Sequence, residues 1–441
     1  MSIKVGMVSL GCPKNQMDAE LMLAKLQNAG MTITAESGLS EVVIVNTCGF
    51  IGDAKQEAIE NILEFAKLKE EGQIKKIIVT GCLAERYKEE LCRELPECDA
   101  VLGLGANADI VETVNRVMEG ETVHRFPPLD AWSLNGERLQ TTPDFFAYLR
   151  VGDGCNNCCT YCAIPHIRGG LRSRAMDEVV AEAETLARNG VRELILVAQD
   201  TTLYGTDLSG HSRLPALLDR LCEIDGIRWI RLLYCYPEHI TDELLDTMAR
   251  QDKVVKYLDI PIQHASGKVL ASMNRPGDRK TLTHLVARIR AKLPGVVLRT
   301  TVMVGFPGES KADFAELCEF LKETPFERLG CFAYSPEEGT VAAELPNQVS
   351  DKLKARRRDI VLQSQERVAA AYNEAQIGKT VEVLVESFDR YAECWFGRTY
   401  ADAPDIDTKV FFTTKTRVVP GDFVQVHITD CLDFDLVGER V

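Results

Sequence analysis

The apolar positions of the first 120 residues fall into short continuous runs that alternate with helical stripes. Val5 to Leu10 is a short apolar run, and Asp18 to Gln27 carries Leu21, Met22, Ala24 and Leu26 on a helical period that stops near Gly30. Val42 to Thr47 is apolar almost throughout, as a strand buried on both faces requires. Asp53 is placed to cap a helix whose Ala58, Ile59, Ile62, Leu63 and Ala66 form one face, and Ile77 to Thr80 reads as a third strand. Strands alternating with helices predict an α/β domain over residues 1–120, an open parallel sheet covered by helices. Glu121 to Thr142 then holds Pro127, Pro128, Asn135 and Gly136 with poor periodicity, and Pro143 follows; residues 121–143 read as a linker.

From Phe145 the alternation resumes and runs to about Tyr334. Strands are expected at Ala147 to Val151, Glu193 to Ala198, Trp229 to Tyr234, Tyr257 to Ile260, Val296 to Met303 and Arg328 to Ala333, separated by helical patterns such as Asp177 to Arg188. Six such units are fewer than the eight of a closed β/α barrel, so residues 144–376 predict a partial, TIM-like barrel trailed by the charged helix Ser350 to Ala375. Ile377 and Gly378 stop that helix. The text then changes to short alternating runs, Val381, Val383, Val385 and later Phe423, Val424, Val426, Ile428, which predict a small antiparallel β-barrel over 377–441.

Charge and segment length narrow the class. The chain has 51 basic and 66 acidic residues, a formal net of -15, which disfavours a general nucleic-acid binder. The terminal module holds twelve acids against seven bases, a net of -5, which suits a basic protein partner better than RNA. No apolar run approaches a membrane span, and Met1 to Leu10 lacks the flank and core of a signal peptide, so a cytoplasmic protein without a membrane partner is expected. In a reducing compartment the 15 cysteines are expected as ligands or small buried hydrophobes rather than disulfides.

Four of those cysteines stand in one short stretch, Cys155, Cys158, Cys159 and Cys162, just after the first strand of the second domain. Cys155, Cys159 and Cys162 have the spacing Cys-x3-Cys-x2-Cys, which suits three thiolates on an iron-sulfur cubane with one corner free of protein. The alternative is zinc held by all four as two Cys-x2-Cys pairs; zinc ribbons separate such pairs by roughly 15–20 residues, whereas here they abut. A third reading is an electron-transfer or assembly protein, for which Cys158 or a distant cysteine would close the cluster. Three more cysteines, Cys12, Cys48 and Cys82, each follow a predicted strand of the first domain. The carboxyl ends of parallel strands lie along one edge, so these three are expected to converge on a second site, while Cys92 and Cys98 read as core residues. Gln199 to Thr202, Pro261 to His264 and Val304 to Glu309 follow barrel strands and are candidates for ligand contact.

The Cys-x3-Cys-x2-Cys loop after a first barrel strand resembles the signature of the radical S-adenosylmethionine (SAM) enzymes. The whole order, a three-Cys α/β domain, such a barrel and a small TRAM-like barrel, resembles the methylthiotransferases. Within them, Leu10-Gly-Cys-Pro-Lys-Asn15, Gln199-Asp200, Asp259-Ile-Pro-Ile-Gln-His-Ala-Ser266, Tyr334-Ser-Pro-Glu-Glu-Gly339 and Ala401-Asp-Ala-Pro-Asp-Ile-Asp407 resemble the group that modifies the β-carbon of an aspartate in the twelfth protein of the small ribosomal subunit, rather than the group acting on adenosine in tRNA. The resemblance implies two 4Fe-4S clusters, one on Cys155, Cys159 and Cys162 that cleaves SAM to a radical, and an auxiliary one on Cys12, Cys48 and Cys82. It implies a basic ribosomal protein as substrate, an electron donor and a sulfur source as further partners, and no protein side chain in the role of acid or base.

Overall fold

The structure, a computed structural model, describes residues 2–441. The chain divides into two compact units. One takes the residues up to Thr142 with Gly152–Arg174 and Glu337–Thr340; the other takes Pro143–Val151, Ala175–Pro336 and Val341–Val441.

In the first unit β1 (Lys4–Ser9), α1 (Pro13–Asn28), β2 (Thr32–Thr34), β3 (Val42–Thr47), α2 (Gly52–Glu70), β4 (Lys76–Gly81), α3 (Cys82–Glu94), β5 (Ala100–Leu102), α4 (Ile110–Met118) and β6 (Val123–Arg125) follow in turn. All six strands pair parallel, in the order β2-β1-β3-β4-β5-β6. Successive side chains of a strand point to opposite faces, so β3 fills two cores at once. Val42 and Ile44 pack with Leu21, Met22 and Leu26 of α1 and with Val114 and Val117 of α4. Val43 and Val45 pack with Ala58 and Ile62 of α2 and with Leu83 and Ala84 of α3. This is why the run reads as apolar without alternation.

Local differences from the sequence reading have simple causes. The segments β2 and β5 are three residues each, too short to show a period. β6 lies inside the stretch read as linker and extends the sheet, with Val123 beside Ala100. Helix α2 starts at Gly52 with Ile51 at its N-cap; Asp53 sits within the first turn, where its charge meets the positive end of the helix, but does not cap it. Leu63, expected on the buried face, is 40% exposed.

The chain gives β7 (Phe146–Arg150) to the second unit and returns to the first for β8 (Gly152–Asp153), α5 (Ile164–Arg168) and β9 (Arg172–Ser173), where β8 and β9 form an antiparallel ribbon. The second unit continues with α6 (Met176–Arg188), β10 (Glu193–Val197), α7 (Thr206–Ser209), α8 (Leu214–Cys222), β11 (Trp229–Leu232), α9 (Asp242–Arg250), β12 (Val254–Asp259), α10 (Gly267–Ser272), α11 (Arg279–Lys292), β13 (Val297–Val304), α12 (Lys311–Glu323), β14 (Arg328–Ala333) and α13 (Asp351–Glu374). Its sheet is parallel and open, in the order β7-β10-β11-β12-β13-β14, which is the partial barrel the repeat count predicts. β15 (Thr380–Asp389), β16 (Cys394–Arg398), β17 (Val410–Thr413), β18 (Phe423–Leu432) and β19 (Asp435–Arg440) close a small barrel around Val383, Val385, Phe412, Val426 and Ile428. Its pairs are antiparallel except one. β18 turns back to lie beside β15, and the returning β19 then meets β17 in parallel, with Val410 beside Leu436. No helix among the described residues is long and apolar enough to cross a membrane.

Buried ion pairs fasten the terminal barrel to the open sheet inside this unit. Glu193 of β10 is fully buried and accepts from Arg231 Nε at 2.7 Å and from Arg398 of β16 at 2.8 Å. Arg328 donates to Asp402 at 2.7 Å, and the Tyr257 hydroxyl to Asp407 at 2.6 Å. The acidity of the terminal module is therefore partly internal: Glu382, Glu386, Asp402 and Asp407 face Arg228, Arg398, Arg328 and Arg299. The fully exposed acids and bases are equal in number, but Asp389, Asp422 and Asp435 are half-buried against Arg440 alone, so the accessible face keeps an acidic excess.

Burial alone would push the Glu193 carboxyl up, but Arg398 and Arg231 outweigh it and hold the group below the usual carboxylate range. Glu193→Gln takes from buried Arg231 its carboxylate partner and from Arg398 one of two, and a loss on the order of 3–5 kcal/mol is expected in urea unfolding. The sign of the pH effect follows from the depressed value. The stabilisation is present above about pH 4.3, the ordinary value for Glu, and is lost as pH falls toward the lower folded value. The wild type is thus expected to lose more stability than Glu193→Gln between pH 7 and pH 3.5. Equal losses in the two proteins would contradict it.

Candidate functional site

Three cysteines of the first unit stand at the carboxyl ends of three neighbouring strands. Cys12 follows β1 and is the N-cap of α1, Cys48 follows β3, and Cys82 opens α3 directly after β4. Glycines let the loops approach. At Gly11, with φ +91°, a Cβ would lie 2.8 Å from the Cys48 Sγ; at Gly81, with φ +97°, it would lie 2.4 Å from the Thr47 carbonyl oxygen. Asn15, buried on α1, donates through Nδ2 to the carbonyls of Leu10 at 2.8 Å and of Asn46 and Thr47 at 3.2 Å. Asn46 returns a bond to the Asn15 carbonyl at 2.7 Å. The loops carrying Cys12 and Cys48 are thus stitched together by two amides. Burial pushes the Cys48 thiol up, and pushes Cys82 up to about 12, with Arg168 opposing and the Cys12 and Cys48 thiols adding to the rise.

The second set rides on the loop between β8 and α5. Gly154 has φ +76°, and a Cβ there would meet the Gly170 carbonyl at 2.0 Å. The Cys155 amide donates to the Gly169 carbonyl at 3.0 Å, the Cys162 amide to the Cys159 carbonyl at 3.0 Å, and the Leu171 amide to Asn156 Oδ1 at 3.0 Å. Cys155, Cys159 and Cys162 are half-buried, while Cys158 is exposed with φ +51°. Burial raises the Cys162 thiol to about 12, with the Cys159, Cys155 and Cys158 thiols adding to it. Among the described residues no group of three or more His, Cys, Asp or Glu surrounds a point that could hold a single metal ion.

Both sets lie in the same unit, and α5 approaches the first through Cys82, which packs with Leu104, Ala163 and Ile167. Beside it is a group that no motif revealed. Arg168, at the end of α5, is buried and reaches Asp18 at 2.9 Å, Asp153 at 3.1 Å and the Cys82 Sγ at 3.5 Å. A lone Arg after a short apolar helix carries no sequence signal; only its partners, all distant along the chain, identify it.

The other strand-end candidates lie in the second unit, and much of their polarity is turned inward. Asp200 accepts from the Thr202 amide at 3.1 Å and pairs with His239 Nδ1 at 2.9 Å. His264 is fully buried; its Nδ1 accepts from the Ser266 amide at 2.9 Å, and burial pushes its pKa down to about 4, so the ring is neutral at pH 7. Glu309 accepts from the amides of Gly305 and Phe306 and from Arg357 at 2.9 Å, which makes Gly305 to Glu309 a closed turn leading into α12. Cys98 is a core residue and Cys92 packs against that core.

Comparison with known proteins gives this arrangement its context. Residues 4–103 match the uncharacterized protein family UPF0004, residues 149–321 the radical SAM superfamily and residues 377–441 the TRAM domain. The chain is 48% identical to the ribosomal protein uS12 methylthiotransferase RimO of Pelotomaculum thermopropionicum over 100% of both chains. It is 46% identical to that of Desulforamulus reducens over 99% of both, and 46% identical to that of Acetivibrio thermocellus over 100% of this chain and 99% of the relative. Among solved structures, the radical SAM methyltransferase TsrM of Kitasatospora setae, with cobalamin and a [4Fe-4S] cluster bound, aligns with a TM-score of 0.57. That alignment covers 78% of this chain and 77% of the other at 14% identity, a likeness of fold. Identity at the level of the RimO proteins, unbroken from end to end, is more than a shared fold: the chain belongs to the family of ribosomal protein uS12 methylthiotransferases.

Proposed function

We propose that the chain transfers a methylthio group to ribosomal protein uS12, in place of a hydrogen on the β-carbon of an aspartate, using SAM together with an electron donor and a sulfur source. The observation that carries this reading is the end-to-end likeness to the RimO proteins, joined to two separate sets of three thiols within one unit. Cys155, Cys159 and Cys162 would hold one 4Fe-4S cluster, and Cys12, Cys48 and Cys82 a second. The donor chemistry fits, since each set offers three soft thiols on loops braced by their own backbone, one short of the four that close a cluster. Cys158, exposed at a turn, is left out of its set.

When bound, clusters with one iron free of protein supply the electron that splits SAM and an open iron for sulfur. The chain's own part is to place and to protect. Asn15 fixes the Cys12 and Cys48 loops relative to each other, and Leu104, Ala163 and Ile167 cover Cys82 with apolar surface. No side chain is assigned as acid or base. The choice of uS12 over tRNA rests on the likeness of sequence.

Anaerobic iron analysis of reconstituted protein is expected to give roughly eight irons per chain, falling to about four when Cys12, Cys48 and Cys82 are all changed to Ala, and unchanged in Cys158→Ala. Four irons in both the wild type and the triple variant would remove the second cluster. With SAM, reductant and sulfide, the reconstituted enzyme is expected to add the mass of one methylthio group, less one hydrogen, to uS12. Modification of tRNA with uS12 unchanged would overturn the substrate assignment.

A further inference from the structure

The strongest unassigned group of the first unit is the guanidinium of Arg168. Its side chain is 2% exposed, and its principal partners are as deeply buried, Asp18 at 1% and Asp153 at 4%. One nitrogen donates to Asp153, which lies just ahead of Cys155; the other donates to Asp18 and reaches Asn15 Oδ1 at 3.4 Å, both on the helix capped by Cys12. That second nitrogen also points at the Cys82 Sγ, 3.5 Å away. Each contact reaches a different segment: the strand leading into the Cys155 loop, the helix after Cys12, and Cys82 itself. A planar fork with five N–H donors can serve three such partners at once, which a lysine amine cannot match in geometry.

The buried cation is paired with two carboxylates, Asp18 at 2.9 Å and Asp153 at 3.1 Å. Arg172, 3.7 Å from Asp153, supplies a second positive charge. Against two cations and two carboxylates, a thiolate at Cys82 meets a balanced site with a donor already aimed at its sulfur. Hydrogen bonds to the sulfurs of a cluster stabilise its more negative, reduced form and so raise its reduction potential.

We propose that Arg168 is a positioning residue shared by both cysteine sets: it donates to the Cys82 sulfur, raising the potential of the cluster held there, and through Asp18 and Asp153 it fixes those thiols relative to the Cys155 loop. The inference rests on Cys12, Cys48 and Cys82 being cluster ligands. In full-length protein with Cys155, Cys159 and Cys162 changed to Ala, only the second cluster remains to be titrated by spin resonance. Arg168→Lys in that background is expected to keep the iron content and shift the potential to a more negative value. In wild-type sequence at Arg168, labelled with 15N-arginine, the reduced cluster is expected to show a nitrogen hyperfine coupling that the lysine variant lacks. An unchanged potential with iron retained, or no coupling in the iron-loaded labelled protein, overturns the role of Arg168 alone. Should Arg168→Lys fail to fold, the coupling decides the matter. Absence of iron from the background protein would instead remove the ligand reading, and this inference with it.

Discussion

A parallel sheet has all its strand ends of one kind along one edge, and the site of the first unit depends on that constraint. Cys12, Cys48 and Cys82 are far apart in sequence, yet each follows one of three adjacent strands whose register is set by backbone hydrogen bonds and by two hydrophobic cores. Because β3 is apolar on both faces its pattern does not by itself forbid slippage, and the hydrogen bonds exchanged between Asn15 and Asn46 pin its end. With the register fixed, the three cysteines come to one edge of the sheet. What remains for local structure is to bend the chain sharply after each strand, which the glycines at Gly11 and Gly81 allow.

Each unit holds one buried charge network, and the two differ in what they do. In the second unit Glu193, Arg231 and Arg398 join sheet and barrel, and the cost of burying three charges is offset by short, well-aligned bonds. Such a network specifies how the parts dock more than it adds stability. In the first unit Arg168, Asp18 and Asp153 sit beside a cysteine proposed as a ligand, where a charge changes the chemistry of the sulfur as well as the packing. The difference lies in the neighbour. Arg398 faces Glu193, a carboxylate held below the usual range, whereas the Cys82 thiol would gain its charge only on binding a cluster.

Much of this was legible from sequence wherever a pattern is local. The apolar run of β3, the alternating units up to β14, the change to short alternating strands after Gly378 and the Cys155 loop all announce themselves within a few residues. Three-residue strands such as β2 and β5 do not, because a period needs more positions than they have, and β6 was hidden by prolines that follow it. Leu63 fits a helical stripe in sequence but faces water, since helix packing covers only part of that stripe. In the acidic tail a count of charges does not show that Asp402 and Asp407 are internal partners of Arg328 and Tyr257. Arg168 was illegible because nothing within its own helix distinguishes it.

The same reasoning applies to Tyr334-Ser-Pro-Glu-Glu-Gly339, a stretch noted only for its resemblance. Its Glu337 belongs to the first unit although it lies 285 residues beyond Gly52, whose amide it accepts at 2.9 Å. The carboxylate also takes Lys55 at 3.0 Å and Arg86 at 2.9 Å, and Arg86 in turn donates to the Gly49 carbonyl at 2.9 Å. Helix α2 has no side-chain cap of its own, with Ile51 at its N-cap, so a carboxylate delivered from far along the chain fills the place a capping residue would take. The loop it secures is the one after Cys48, between β3 and α2. A stretch noted for its resemblance thus fastens the segment next to Cys48, which is visible only when the partners of its buried charge are followed through the fold.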